Sequence, residues 1–255
     1  MGCGASRVEP QPVVMPLTLY SVSDGPPSLA VRQCLKYLEV EYNLVNVDFG
    51  AGEHMTPDYA KKNPQKEIPV IDDEGFYLGE SNAILQYLAD KYPKDETFYP
   101  QDLQQRALVN HRLCFNLSTY YRNICEYAVA PIFFDYPKTP KGLRKLMIAL
   151  ENLNTYLQLT GTKYVATDNL TIADIQLATS TACLEVINFD LSDYKRIQQW
   201  FETYKEENPD LWEILEAGVG ELVEFSKNPP DLSHMDHPIH PIRQKKPKKT
   251  EETAM

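Results

Sequence analysis

Apolar and polar residues alternate at period two in Leu17-Thr-Leu-Tyr-Ser-Val22, the pattern of a strand with one buried face. Pro26-Pro27 then opens a stretch to about Leu38 with helical apolar spacing. Proline suits that first turn, where a backbone N–H would have no helical partner. A second strand is expected at Tyr42–Val47 and a short helix at Pro57–Lys62. Ile68–Ile71 and Phe76–Leu78 read as a strand pair around the turn residues Asp72-Asp-Glu-Gly75. A helix begins near Ser81, with Ala83, Ile84, Tyr87 and Leu88 on one stripe, and stops before Pro93. Strand–helix–strand–helix–strand–strand–helix is the order of a compact mixed α/β unit.

Pro93–Pro100 reads as a linker, and from Gln101 to about Ser226 the apolar spacing is helical with no convincing strand. Thr171-Ile-Ala-Asp174 has the form of a capping box, a threonine at the cap and an acid three residues on. The chain therefore divides into a leader (1–16), a mixed domain (17–92), a linker (93–100), an all-helical domain (101–226) and a tail (227–255). From Asn228 onward proline, histidine and lysine dominate and no stable structure is expected.

Composition narrows the chemistry. Hydrophobic residues make up 43% of the 255, enough for a real core. Apolar runs fall far short of the ~18–20 residues a membrane span needs, and residues 1–16 lack the apolar segment of a secretory signal. A cytoplasmic protein is expected. The five cysteines are odd in number and scattered, which reads as free thiols in a reducing compartment. Net charge is −11, and the tail from Ser226 carries more Lys/Arg than Asp/Glu, so the acidity belongs to the body. An acidic body argues against nucleic acid as a partner. His234, His237 and His240 are spaced by three, but in a proline-bearing segment that makes a weak metal pattern, and none is expected.

Six stretches carry a resemblance: Ala51-Gly-Glu-His54, Asn63-Pro-Gln-Lys-Glu-Ile-Pro-Val70, Glu80-Ser-Asn-Ala-Ile84, Tyr99-Pro100, Arg106-Ala107 and Leu170-Thr-Ile-Ala-Asp174. In this order and spacing the chain resembles the cytosolic glutathione transferases, closest to the insect delta and epsilon classes, with theta more distant. The resemblance covers roughly Leu17 to Phe225. It implies a thioredoxin-like first domain, an all-helical second one, a homodimer, and glutathione as co-substrate with no bound cofactor. In that family Pro69 would be cis and turn Ile68 toward the ligand, so that Ile68 pairs its main chain with the cysteinyl unit as an added strand does. Glu80 and Ser81 would hold the γ-glutamyl end at a helix start, where free N–H groups and the dipole favour a carboxylate. His54 and Lys66 would meet the glycyl carboxylate, although delta and epsilon members usually carry histidine at the Lys66 position.

The pattern breaks at the sulfur. These classes place a serine just before the first helix, as Ser-Pro-Pro or Ser-Gln-Pro, and its hydroxyl donates to the glutathione thiolate. Alignment on Pro26-Pro27 puts Gly25 there. A free thiol has a pKa near ~8.5, so the missing donor matters at neutral pH. Ser23, Tyr20 and a backbone N–H of the Asp24-Gly25 turn are three candidate substitutes; Ser23 also reads as a solvated loop residue and Tyr20 as a core or domain-interface residue. Asp24 would oppose a thiolate. The resemblance further implies a pocket for a hydrophobic electrophile, with Phe115, Tyr120, Tyr121, Ile124, Tyr127 and Phe134 as candidate lining, residues that read equally well as core. The expected activity is glutathione conjugation, weakened by Gly25; the alternatives are non-catalytic binding of glutathione or an apolar ligand, or a membrane-attached adaptor.

Both ends carry motifs of their own. Met1-Gly-Cys-Gly-Ala-Ser6 fits N-myristoylation at Gly2 with palmitoylation at Cys3, which would hold the protein at the cytoplasmic face of a membrane. Translation from Met15 is the competing reading. Arg243-Gln-Lys-Lys-Pro-Lys-Lys249 reads as a solvated basic tail, a contact for anionic lipid or an import signal.

Overall fold

The computed structural model describes residues 16–235, 240 and 241. Strand β1 (Leu17–Ser21) pairs in parallel with β2 (Tyr42–Asn46) and antiparallel with β3 (Val70–Asp73), which pairs antiparallel with β4 (Phe76–Leu78). The sheet order β2-β1-β3-β4 is the thioredoxin-like arrangement expected from the sequence. Period-two alternation decides the faces: Leu17, Leu19 and Ile71 enter the main core, while Tyr20 joins Val47, Tyr59 and Val70 in a smaller cluster.

Helix α1 (Pro26–Leu38) starts at the two prolines and ends at Glu39, whose left-handed backbone (φ 57°) turns its N–H back onto the Leu35 and Lys36 carbonyls. Helix α2 (Pro57–Ala60) is a single turn capped by Thr56. Helix α3 (Ser81–Lys91) packs beside α1, and its Tyr87 and Lys91 both donate to Asp73 at the end of β3. Strand β3 starts at Val70, two residues later than expected and directly after the cis Ile68–Pro69 bond.

The second domain is all helix. Helix α4 (Leu103–Phe115) runs on through a π turn (Asn116–Tyr120), α5 (Tyr121–Ile124), a second π turn (Cys125–Val129) and α6 (Ala130–Phe133). Then follow α7 (Pro140–Thr160), α8 (Ile172–Ala182), α9 (Lys195–Glu207) and α10 (Pro209–Lys227). All eleven residues of α8 are buried. Its Thr171–Asp174 capping box forms as expected.

Buried polar contacts tie the domains together. Gln33 of α1 donates to Thr179 Oγ1 of α8 at 2.9 Å and accepts from the Tyr204 hydroxyl of α9 at 2.6 Å. Helix α10 approaches α1 so closely that a Cβ on Gly218 would lie 2.5 Å from Leu29 Cδ1 and 2.9 Å from the Ser23 carbonyl oxygen, so only glycine fits there.

The expectation that structure ends at Asn228 is corrected for the described part of the tail. Leu232 and Met235 are buried, and His234 Nε2 bonds the Gly50 carbonyl at 2.7 Å. The His240 ring stacks on Phe134 with centroids 4.0 Å apart. Cys34, Cys114, Cys125 and Cys183 are free thiols. Among the described residues no helix is long and apolar enough to cross a membrane. Gly2, Cys3, His237 and the 243–249 basic run lie outside the described residues.

Candidate functional site

A cleft of about 340 Å³ opens where the start of α1, residues 65–69 and the start of α3 face the α4–α5 rod and α8. That size falls within the range of small-molecule sites. One wall comes from the first domain and the other from the helical one, so the site exists only because the two pack together.

On the first-domain wall, local hydrogen bonds set the backbone. Asn63 Oδ1 accepts from the Gln65 N–H at 3.0 Å and its Nδ2 donates to the Glu67 carbonyl at 2.9 Å, closing a turn in which Lys66 has φ 60°. The chain then enters the cis Ile68–Pro69 bond with Ile68 on the cleft. Glu80, the cap of α3, has φ 61° and ψ 103°, a conformation that costs a non-glycine residue about 1–3 kcal/mol and that clusters at functional positions. Gln65 Nε2 donates to Glu80 Oε1 at 2.9 Å across the mouth. Ser81 is the first residue of α3, and among the described residues its hydroxyl has no partner. The cleft thus meets a helix N-terminus with its unpaired N–H groups and positive dipole end.

The helical wall is polar at its base. Ser180 Oγ bonds the Asn116 Oδ1 at 2.8 Å and the Gln176 carbonyl at 2.9 Å, and Thr179 Oγ1 donates to the Ile175 carbonyl at 2.7 Å. Gln176 is 4% exposed, and its Nε2 has no acceptor among the described residues. A buried amide in that state costs about 1–3 kcal/mol unless something bonds it. Leu117 and Tyr121 complete this wall.

Ile68, Pro69, Glu80 and Ser81 meet in the cleft, and Tyr121 lines it. The other candidate residues stand elsewhere. Tyr20 lies on the far face of the sheet with Lys62 5.2 Å from its ring centre; burial, then the Asp72 charge, push its phenol pKa up. Ser23 donates to Glu221 Oε2 of α10 at 2.6 Å. His54 is buried under Phe49, ring centres 4.7 Å apart, and neither it nor Lys66 lines the cleft. Phe115, Tyr120 and Ile124 are core residues; the Tyr120 hydroxyl bonds Thr181 Oγ1 at 2.9 Å. Tyr127 packs near Gly142, and Phe134 holds His240.

Gln65, Glu67, Asn82, Asn116, Leu117, Gln176, Thr179 and Ser180 line the cleft and were not singled out from the sequence. A signal existed for three of them. Gln176, Thr179 and Ser180 sit at i, i+3 and i+4, a spacing that places them on one face of the helix.

Residues 15–90 match the family model for the glutathione S-transferase N-terminal domain, and residues 120–208 that for the C-terminal domain. Glutathione S-transferase D6 of Drosophila melanogaster is 35% identical over 193 residues, 76% of this chain and 89% of the relative. A diazinon-metabolizing glutathione S-transferase of the silkworm Bombyx mori shares 59% identity, with a TM-score of 0.77 over 82% of this chain and 100% of that one. A delta-class enzyme of Nilaparvata lugens shares 36% identity, with a TM-score of 0.79 over 84% of this chain and 99% of that one. The first domain's cis-proline and acid–serine helix start, the all-helical second domain and these likenesses agree: the chain belongs to the glutathione S-transferase family.

Proposed function

We propose that the protein binds glutathione in this cleft and joins its sulfur to a small electrophile. The observation that carries the reading is the meeting of Ile68, Glu80 and Ser81 on one wall. The Ile68 main chain aligns the cysteinyl unit, Ser81 and the α3 N-terminus hold the γ-glutamyl carboxylate, and Glu80 meets its ammonium. Gln176 offers its amide as a further donor to the bound molecule. The electrophile enters between Pro27, Leu117 and Tyr121, the apolar part of the cleft.

Thiol activation differs from that of serine-bearing relatives. Gly25 supplies no hydroxyl, and Pro26 and Pro27 supply no N–H at the start of α1. Ser23 is engaged by Glu221. Conjugation is therefore slow but present. A conjugation assay with a chromophoric nitroaryl halide tests this, and glutathione binding without any conjugation would leave the carrier reading instead. Ser81→Ala is expected to weaken glutathione binding by about 1–3 kcal/mol, measured calorimetrically, through loss of a charge-assisted hydrogen bond.

The reading includes domains at 17–92 and 101–226 joined by 93–100, a homodimer, and dual acylation at Gly2 and Cys3 at the cytoplasmic face of a membrane. The motif supports the last point, since one acyl chain binds reversibly and a second makes attachment lasting. Gly2→Ala is expected to move the protein from the membrane to the soluble fraction of cells; a wild type already wholly soluble contradicts the anchor and favours Met15 as the start.

A further inference from the structure

Conjugation needs the glutathione thiol to lose its proton, and at the start of α1 Gly25 has no hydroxyl, Pro26 and Pro27 have no N–H, and Ser23 is engaged by Glu221. One carboxylate in the cleft has no assigned role. Glu67 lines the cleft immediately before Ile68, the residue whose main chain would align the cysteinyl unit. Its backbone is pinned: the Glu67 carbonyl accepts from Asn63 Nδ2 at 2.9 Å and from the Tyr59 hydroxyl at 3.2 Å. Its side chain is not, because among the described residues the carboxylate has no hydrogen-bond or ion-pair partner. The groups that act on it electrostatically are Glu80 at the start of α3, Tyr59 of α2, and Tyr121 and Cys125 of the helical domain. None of these is a cation. The side chain is exposed along the cleft, with protein against part of it. That partial burial, and then the Glu80 charge, hold its carboxyl above the ordinary value.

We propose that Glu67 is the base of the reaction, its carboxylate taking the proton of the glutathione thiol. This assignment rests on the glutathione-conjugating reading above. The step balances without any further reagent: an O–H bond forms on Glu67 as the S–H bond breaks, and the sulfur lone pair forms the S–C bond. In a substitution the leaving group departs with its bonding electrons, and the proton on Glu67 goes to it or to water. In an addition the same proton goes to the carbanion formed beside the new bond. Once protonated, Glu67 no longer repels the thiolate and its O–H donates to the sulfur, the role that serine has in relatives of the same fold.

The test compares wild type with Glu67→Gln and Glu67→Asp, after circular dichroism confirms that each is folded. Glutathione titration and the pH dependence of kcat/KM are measured for all three. Glu67→Gln is expected to bind glutathione as tightly as wild type or tighter, since an anion has left the cleft. Its kcat is expected to fall by about 100-fold or more, the usual size of a lost general base. The acid limb of its profile should move from the carboxyl range up to that of the free thiol, near ~8.5. Glu67→Asp should keep the lower limb with a reduced rate. An unchanged or raised kcat in Glu67→Gln, with the limb unmoved, overturns the assignment and leaves Glu67 as a repelling charge only. A wild type that binds no glutathione overturns the underlying reading, and this assignment with it.

Discussion

Asp174→Ala is expected to cost about 4 kcal/mol or more, a large part of the ~5–15 kcal/mol that holds a typical domain folded. Asp174 is fully buried. Its Oδ1 accepts from the Val165 N–H at 2.8 Å and from Trp200 Nε1 at 2.9 Å. Its Oδ2 accepts from the Thr171 N–H at 2.9 Å and from the Thr171 hydroxyl at 2.8 Å. Alanine would leave three N–H groups without an acceptor in the core, each worth about 1–3 kcal/mol, and a cavity besides. The start of α8 would fray, and α8 is the base of the cleft, so glutathione binding should fall along with stability. Burial pushes the Asp174 carboxyl up to about 6, against the pull of its hydrogen bonds. Because the folded value lies above the unfolded one, this group's contribution is fully present at low pH and is lost as pH rises through about 6. Urea unfolding at several pH values, comparing wild type with Asp174→Asn, reads that slope: wild type should carry it and the amide should not.

Gly25→Ser, the change that restores the family hydroxyl, is expected to work only with a second substitution. The Gly25 backbone (φ −70°, ψ 116°) accepts any residue. The obstacle is space: a Cβ at 25 would lie 2.5 Å from Val22 Cγ2. Valine is stiff at χ1, and Val22 packs against the cluster of Val47, Tyr59 and Val70. Alone, the serine should therefore destabilise by about 1–3 kcal/mol, as overpacking does, and gain little activity. With Val22→Ala the hydroxyl has room. A donor that lowers the bound thiol by one to two pKa units from the free value raises the thiolate fraction at pH 7 about 8–25-fold. Thiolate absorbance of bound glutathione, followed against pH, measures this directly. A double variant whose thiol titrates like that of the wild type would show that the position of Gly25 does not govern the sulfur.

The first domain was legible because its punctuation is local. Two prolines start α1 where expected, Ser81 opens α3, and period-two alternation places β1. The capping box at Thr171 was equally plain, since all its parts lie within four residues. The plainest miss has its deciding partner far away in sequence. Ser23 looked available, but its hydroxyl is taken by Glu221, 198 residues later. Tyr120 and Ile124 read equally as pocket lining or core, and the fold places both in the core. Glu67 lies within Asn63–Val70, and only the assembled cleft shows that among the described residues its carboxylate has no partner.

Titration calorimetry of glutathione into the unmodified protein tests the central claim most directly. Saturable binding is expected, weakened in Ser81→Ala and competed away by an S-alkyl glutathione, because all three share the wall formed by Ile68, Glu80 and Ser81. No binding heat, or binding that Ser81→Ala leaves untouched, would contradict the account.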